Sequence, residues 1–334
     1  MADKILLAHG SGGKLSHELI TRTLLPALAN PLLEKLDDAA SFELKGTLAF
    51  TTDSYVVSPI FFPGGDIGKL AVCGTVNDLA MCGAKPLYLS LALIIEEGLP
   101  VKDLERVLAS IRKTADAAGV KIVTGDTKVV NRGSADRIFI NTAGIGVVPE
   151  GVHVSGSQAR PGDRVILSGG IGEHGIAIMS RREGLEFSVP VASDCAPLNG
   201  LVAAMLKAAP DIRCLRDPTR GGLAGTLNEF AGQSNAGIRI VEAEIPVKES
   251  ILAACDLLGL DPLYVANEGK LVAVVPPAKA EAVLAAMRRH RYGRDAAIIG
   301  EVTAEHPGRV VMTTRLGATR IVDMLTGDLL PRIC

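Results

Sequence analysis

Apolar and polar positions recur along the chain with two periods. Residues 47–57 (TLAFTTDSYVV) alternate one for one, as a half-buried strand does. Residues 88–95 (YLSLALII) are a short apolar run suited to a buried strand. Residues 100–119 (PVKDLERVLASIRKTADAAG) repeat at three and four, which predicts an amphipathic helix. Residues 65–84 (GDIGKLAVCGTVNDLAMCGA) are rich in small side chains and read as a tightly packed helix, and 120–130 and 137–148 read as further strands. A helical stretch at 15–30 follows a Gly/Ser loop, HGSGGKLS. After GSQARPGDRV, a turn-rich linker, the mixture repeats. Strands are expected at RVILSG, IRIVEA and KLVAVVP, with helices at EHGIAIMSRREG, LNGLVAAMLKAA, GLAGTLNEFAGQS and AKAEAVLAAMRRH. The alternation predicts an α/β fold with mixed sheets in two unequal halves. The expected divisions are an N-terminal loop and helix (1–36), a first domain (37–155), a second (156–322) and a tail (323–334).

Composition narrows the function. At 334 residues, 48% hydrophobic and 22% charged, the chain has ample apolar content for two cores. A net charge of −2 offers no basic field to nucleic acid, and 3% aromatics with no Trp offer no base-stacking platform. The apolar run before His9 is shorter than a signal peptide needs, and YLSLALII is far short of a membrane span. A cytoplasmic protein is expected. Six cysteines occur without CxxC or zinc spacing. Five are expected to be buried free thiols. Cys334 differs because it is the last residue, and its position rules out prenylation of the CaaX type.

The glycine loops HGSGGKLS and GGDIGKL lack the GxxxxGK[ST] of a P-loop, since Leu follows GK in both. GGIGEHG places Gly170, Gly172 and Gly175 in GxGxxG spacing after a strand. Without the rest of a dinucleotide-binding unit this reads as a turn with close backbone approach, or an anion site at a helix start. The acidic positions say more. Asp38, Asp53, Asp78, Asp126 and Asp217 lie at element ends or beside small residues. Carboxylates repel phosphates, but Mg²⁺ joins the two through oxygen ligands. The pattern therefore predicts a magnesium-bound nucleotide.

The motifs DDAA, TTD, NDLAMCGAKP, GDT and RDPTRGG, in this order, resemble the aminoimidazole ribonucleotide synthetase and selenophosphate synthetase superfamily. AHGSGGK, VTGDTKVV, FINTAG, ANEGKL and the terminal PRIC narrow the resemblance to its hydrogenase-maturation branch, the HypE family, over essentially the whole chain. The DDAA lacks the preceding Gly common in the superfamily, which leaves Asp37 or Asp38 as the matching ligand. The resemblance implies ATP-dependent dehydration of an S-carboxamide on Cys334 to a thiocyanate. HypF would supply the carbamoyl group, and a HypC–HypD complex would accept cyanide for the iron of [NiFe] hydrogenase. It further implies Asp38, Asp78 and Asp217 as Mg²⁺ ligands, with Asp53, Asp78, Asp126, Thr127, Gly12, Gly13 and Lys14 at the nucleotide. Glu268 would be the base and Lys128 its electrostatic partner. A homodimer through N-terminal domains, whose strands close a shared barrel, is implied as well.

The tail's reach fits this chemistry. Twelve extended residues span roughly 40 Å, enough to leave one active site and enter another. Its thiol is expected to lack strong intrinsic activation, because its own α-carboxylate raises the pKa by like charge while Arg332 pulls the other way. Two rivals stay open at this point: a ligase for a small diffusible substrate, as in the purine and selenophosphate relatives, and a nonenzymatic carrier.

Overall fold

The computed structural model describes residues 3–36, 39–185, 190–325, 327 and 333–334. After a 3₁₀ turn at Leu7–Gly10, α1 (Lys14–Leu19) runs through a π turn at Ile20–Leu24 into α2 (Leu25–Leu28). Pro26, just past the widened turn, has no N–H for the carbonyl four residues back.

The period-two segments of the first half become one sheet. β1 (Thr47–Tyr55) leads through the small hairpin β2 (Phe61–Phe62) and β3 (Gly65–Asp66) into α3 (Ile67–Met81). β4 (Lys85–Glu96), α4 (Val101–Ala118), β5 (Lys121–Val130) and β6 (Ile138–Val148) follow. The strand order is β1-β6-β4-β5, so β1 and β5 are its two edges. Asp66 caps α3, accepting from the Gly68 and Lys69 amides at 2.8 and 3.0 Å. All of α3 except Lys69 and Asp78 is buried. Gly74 is required there, because a Cβ would lie 2.3 Å from the Tyr55 hydroxyl. The helix covers one face of the sheet. On the other face Phe50 is 70% exposed and Leu48 52%, in an edge strand whose opposite positions pack inward.

The second half begins with β7 (Arg164–Leu167), α5 (Glu173–Glu183), α6 (Asn199–Ala208), β8 (Cys214–Arg216), α7 (Gly222–Ser234) and β9 (Gly237–Val241). It continues with α8 (Glu249–Leu258), β10 (Val272–Val275), α9 (Pro277–Arg289), β11 (Ala297–Thr303), β12 (Val310–Thr313) and β13 (Thr319–Val322). Its seven strands run in the order β13-β12-β9-β11-β7-β10-β8. Val165 and Leu167 of β7 face the core under α7, while Ile166 faces the core under α6 and α9. Helices thus cover both faces, which explains why the VIL of β7 and the VAVV of β10 are unbroken apolar runs.

The two halves share packing. Ile176, Ala177 and Ile178 of α5, and Ile251 of α8, join the core of the first half, and so does Ile333 from the chain's end. No helix among the described residues is long and apolar enough to cross a membrane. The described cysteines are all free, and Cys82 at the end of α3 is exposed, against the expectation that it is buried.

Candidate active site

A cavity of about 900 Å³ opens where β1, the C-terminal end of α3, the loop after β8 and the loop before β10 converge. Five acidic residues line it, Asp53, Asp78, Asp217, Glu229 and Glu268, together with Cys334. Asp53 takes an inward position on β1, and its carboxylate lies 3.8 Å from the Arg220 guanidinium. Asp78 accepts from the Thr51 hydroxyl at 2.9 Å. Burial raises the pKa of Asp78, and the nearby Asp53 adds to the rise. Asp217 is pushed up to about 7, first by burial and then by the charge of Asp78.

Glu268 is the most deeply placed of the five, at 2% exposure. Burial lifts its carboxyl well above the usual range, helped by Cys195 and Asp217. Its Oε1 has no hydrogen-bond partner among the described residues. The loop that holds it is tightly built. The Glu268 and Gly269 amides each donate to Asp194 at 3.1 Å, and Gly269 has no room for a Cβ, which would fall 1.8 Å from the Asp194 carbonyl oxygen. Lys270 is bound by Glu173 and Asp194 at 3.0 and 3.2 Å. Asn267 joins three loops, donating to the Pro218 carbonyl at 3.0 Å and accepting from the Gly172 amide at 2.7 Å.

Cys334 sits in this cleft as a thiol. Its pKa is pushed up to about 12, first by burial and then by Glu268, while Arg220 pulls the other way. The expected lack of intrinsic activation thus has a different origin here, in burial and Glu268. Arg332 lies outside the described residues.

A second cavity, about 390 Å³, lies under α1 and α2. Its polar end carries Gly12, Asp126, Thr127 and Lys128, and its wall includes Leu24, Leu28 and Leu33. Lys128 pairs with Asp126 at 3.0 Å, and this ammonium lowers the Asp126 pKa. The expected Lys128–Glu268 partnership is therefore not made within one chain, because the two line separate cavities. The residues expected at the nucleotide are divided likewise: Asp53 and Asp78 line the larger cavity, Asp126, Thr127 and Gly12 the smaller. Gly13 and Lys14 start α1 and line neither.

The GGIGEHG start of α5 is not open to an anion in this arrangement, since the side chain of Asn267 already takes the Gly172 amide. Gly172 has φ +89 and supports the sharp entry.

No cluster of three or more His, Cys, Asp or Glu among the described residues forms a ready metal centre. Asp38 lies outside them. The chemistry of Asp78 and Asp217 nevertheless fits Mg²⁺. Both supply hard oxygen, both repel one another in a buried cleft, and this cation commonly takes one or two carboxylates plus phosphate oxygens. Sequence reading missed Arg220, Asn267 and His174. The first stands three residues past Asp217 within RDPTRGG, so that motif held a usable signal.

One stability consequence is testable without nucleotide. A carboxyl with a folded pKa above its unfolded one weakens the fold as pH rises from the unfolded value, 3.8, through about 7. The full penalty is on the order of 4 kcal/mol. In chelator, Asp217→Asn should raise the thermal midpoint, with a gain that grows from pH 5 to pH 8 and then levels off. An equal gain at both pH values would mean that Asp217 is not a strained charge.

Family models match both halves: the AIR synthase related protein N-terminal domain over residues 36–148 and the C-terminal domain over 160–313. Carbamoyl dehydratase HypE of Azotobacter vinelandii is 57% identical over 98% of this chain and 96% of its own length. The chain belongs to the HypE family. A crystal structure of the hydrogenase maturation protein HypE in complex with ATP superposes with TM-score 0.96 at 54% identity, over 98% of this chain and 99% of that one. A crystal structure of a HypE–HypF complex matches with TM-score 0.82 at 53% identity, over 94% of this chain and 100% of that one. The two-domain α/β fold expected from the HypE-type motifs is the one found.

Proposed function

We propose that the chain is an ATP-dependent carbamoyl dehydratase acting on its own last residue. The observation that carries this is the seating of Cys334 in the acidic cavity beside Glu268. A diffusible substrate of the purine or selenophosphate kind would have to compete with that tail. A nonenzymatic carrier would have no use for buried carboxyls around its docking peptide.

The chemistry follows from the leaving group. An amide oxygen departs poorly as oxide and well as phosphate. Transfer of the γ-phosphoryl group of ATP to the carboxamide oxygen, loss of that oxygen as phosphate and removal of both amide protons leave S–C≡N and ADP. Glu268 is the proton acceptor, and Arg220 meets charge developing beside the sulfur. Asp78 and Asp217 would hold Mg²⁺, with Asp38 a further ligand; the bound ion would neutralise phosphate charge. ATP would lay its base against the leucine wall of the smaller cavity, with Gly12, Asp126 and Thr127 at its polar end. HypF is the carbamoyl donor, the HypC–HypD complex the cyanide acceptor, and the cytoplasm the place of work.

The divided site is completed by a second copy. Asp53 is on β1 and Lys128 on β5, the opposite edges of one sheet. Two such sheets, pairing edge to edge about a two-fold axis, close a barrel over the bare face that carries Phe50. Lys128 of one copy then serves Glu268 of the other. Phe50→Asp should leave a monomer by sedimentation and cut turnover at least tenfold. A fully active monomer would refute the shared site.

The reaction itself is read by intact mass after incubation with HypF, its carbamoyl donor and ATP. A gain of one carbamoyl group followed by loss of one water is expected. ATP hydrolysis with no such change in mass would overturn the assignment.

A further inference from the structure

The proposed reaction needs the last residue held still inside the cavity, and the GGIGEHG motif supplies a means. His174, the second residue of α5, is fully buried. Its Nε2 lies 2.8 Å from the carbonyl oxygen of Ile333, in the peptide bond that joins Ile333 to Cys334. Its Nδ1 lies 2.8 Å from the Ser193 hydroxyl. A carbonyl can only accept, so Nε2 carries the proton and Nδ1 accepts from the hydroxyl. Ser193 Oγ in turn accepts from the Cys195 amide at 3.1 Å. Every polar atom of the ring is satisfied, and the relay fixes one tautomer. Phe62 meets the ring edge-on, with centroids 5.6 Å apart.

We propose that His174 is a positioning residue, a latch that grips the final peptide bond and so aims the Cys334 sulfur at Glu268. The inference rests on the self-acting reading above. It also gives the sequence motif a use. Gly172, at φ +89, lets the chain turn sharply into α5, which brings the histidine two residues on under the tail. When the tail leaves to meet a partner, the buried Nε2–H loses its acceptor. The latch therefore biases the thiol inward and opposes capture by the carbamoyl donor.

Two measurements test this, and neither depends on dehydration. In the full chain, an imidazole N–H signal shielded from exchange should appear in the NMR spectrum at neutral pH, and deletion of residues 333–334 should remove it. Alkylation of Cys334 by a maleimide, followed by peptide mass, should be roughly tenfold faster in His174→Ala, the factor set by about 1.4 kcal/mol. His174→Gln, which keeps an N–H near the Nε2 position, should restore much of the protection. Among catalytic readouts, His174→Ala should slow dehydration while carbamoylation by HypF holds or quickens. A defect in folding alone would slow both. An N–H signal that survives the deletion, or alkylation rates unchanged in His174→Ala, would overturn the latch whatever the reaction proves to be. If the latch responds as expected but no water is lost from a carbamoylated chain, the self-acting reading fails and the latch stands.

Discussion

Cys334→Ser produces no thiocyanate. Serine differs from the native residue by one atom and should leave the fold, the cavities and nucleotide binding intact. The hydroxyl of serine is a far weaker nucleophile than a thiolate toward a carbamoyl donor. Even were an O-carbamate formed, its dehydration would give a cyanate ester rather than a sulfur-bound nitrile. The expected outcome is unchanged intact mass after HypF and ATP, and no ATP consumption above the level without HypF. The native thiol is itself held neutral by burial and by Glu268. Activation must therefore happen away from this cleft, at the carbamoylating partner. Product formation at the normal yield from the serine variant would end the proposal.

Glu268→Gln should lower the dehydration rate by about 10² to 10⁴, the usual worth of a general base, while carbamoylation of Cys334 and ATP affinity stay near normal. The reason lies in burial. In the single chain this carboxyl has a strongly raised pKa, with desolvation the largest cause. Burial biases it toward the protonated form, and a neighbouring cation is needed to favour the carboxylate. On the proposed reading, Lys128 of a second copy and a bound metal ion would both meet that need. The rate should therefore climb with pH as Glu268 ionises, and the glutamine variant should lose that dependence. A glutamine variant with native rate, or with ATP binding lost in proportion, would reassign Glu268 to a structural or binding role.

Much of this was legible in the residues themselves. α4 announced itself by strong three-and-four spacing, and β4 by an apolar run. β8 and β13 did not, because CLR and TRIV are too short to display a period and carry no apolar run like those of β7 and β10. β11 was hidden by the irregularity between Ile298 and Gly300. At the site, Asp53, Asp78, Asp217, Glu268 and Cys334, each singled out in the sequence, line one cavity. What the motifs could not convey was distance. Lys128 and Glu268 were expected as a pair, yet the strand order puts Lys128 on the edge far from β1. His174 was equally invisible, since its meaning depends on a carbonyl 159 positions later in the chain.

Ile333 is 5% exposed and belongs to the core of the first half, so the reactant is anchored by the enzyme's own interior. Any acceptor that draws the sulfur out must also strip this side chain from its seat, at a cost of about 1.5–3 kcal/mol. That sum is deducted from the strength of every hand-off complex, a weakening of roughly ten- to a hundredfold. Encounters with donor and acceptor are thereby kept brief, and the chain returns to itself between them.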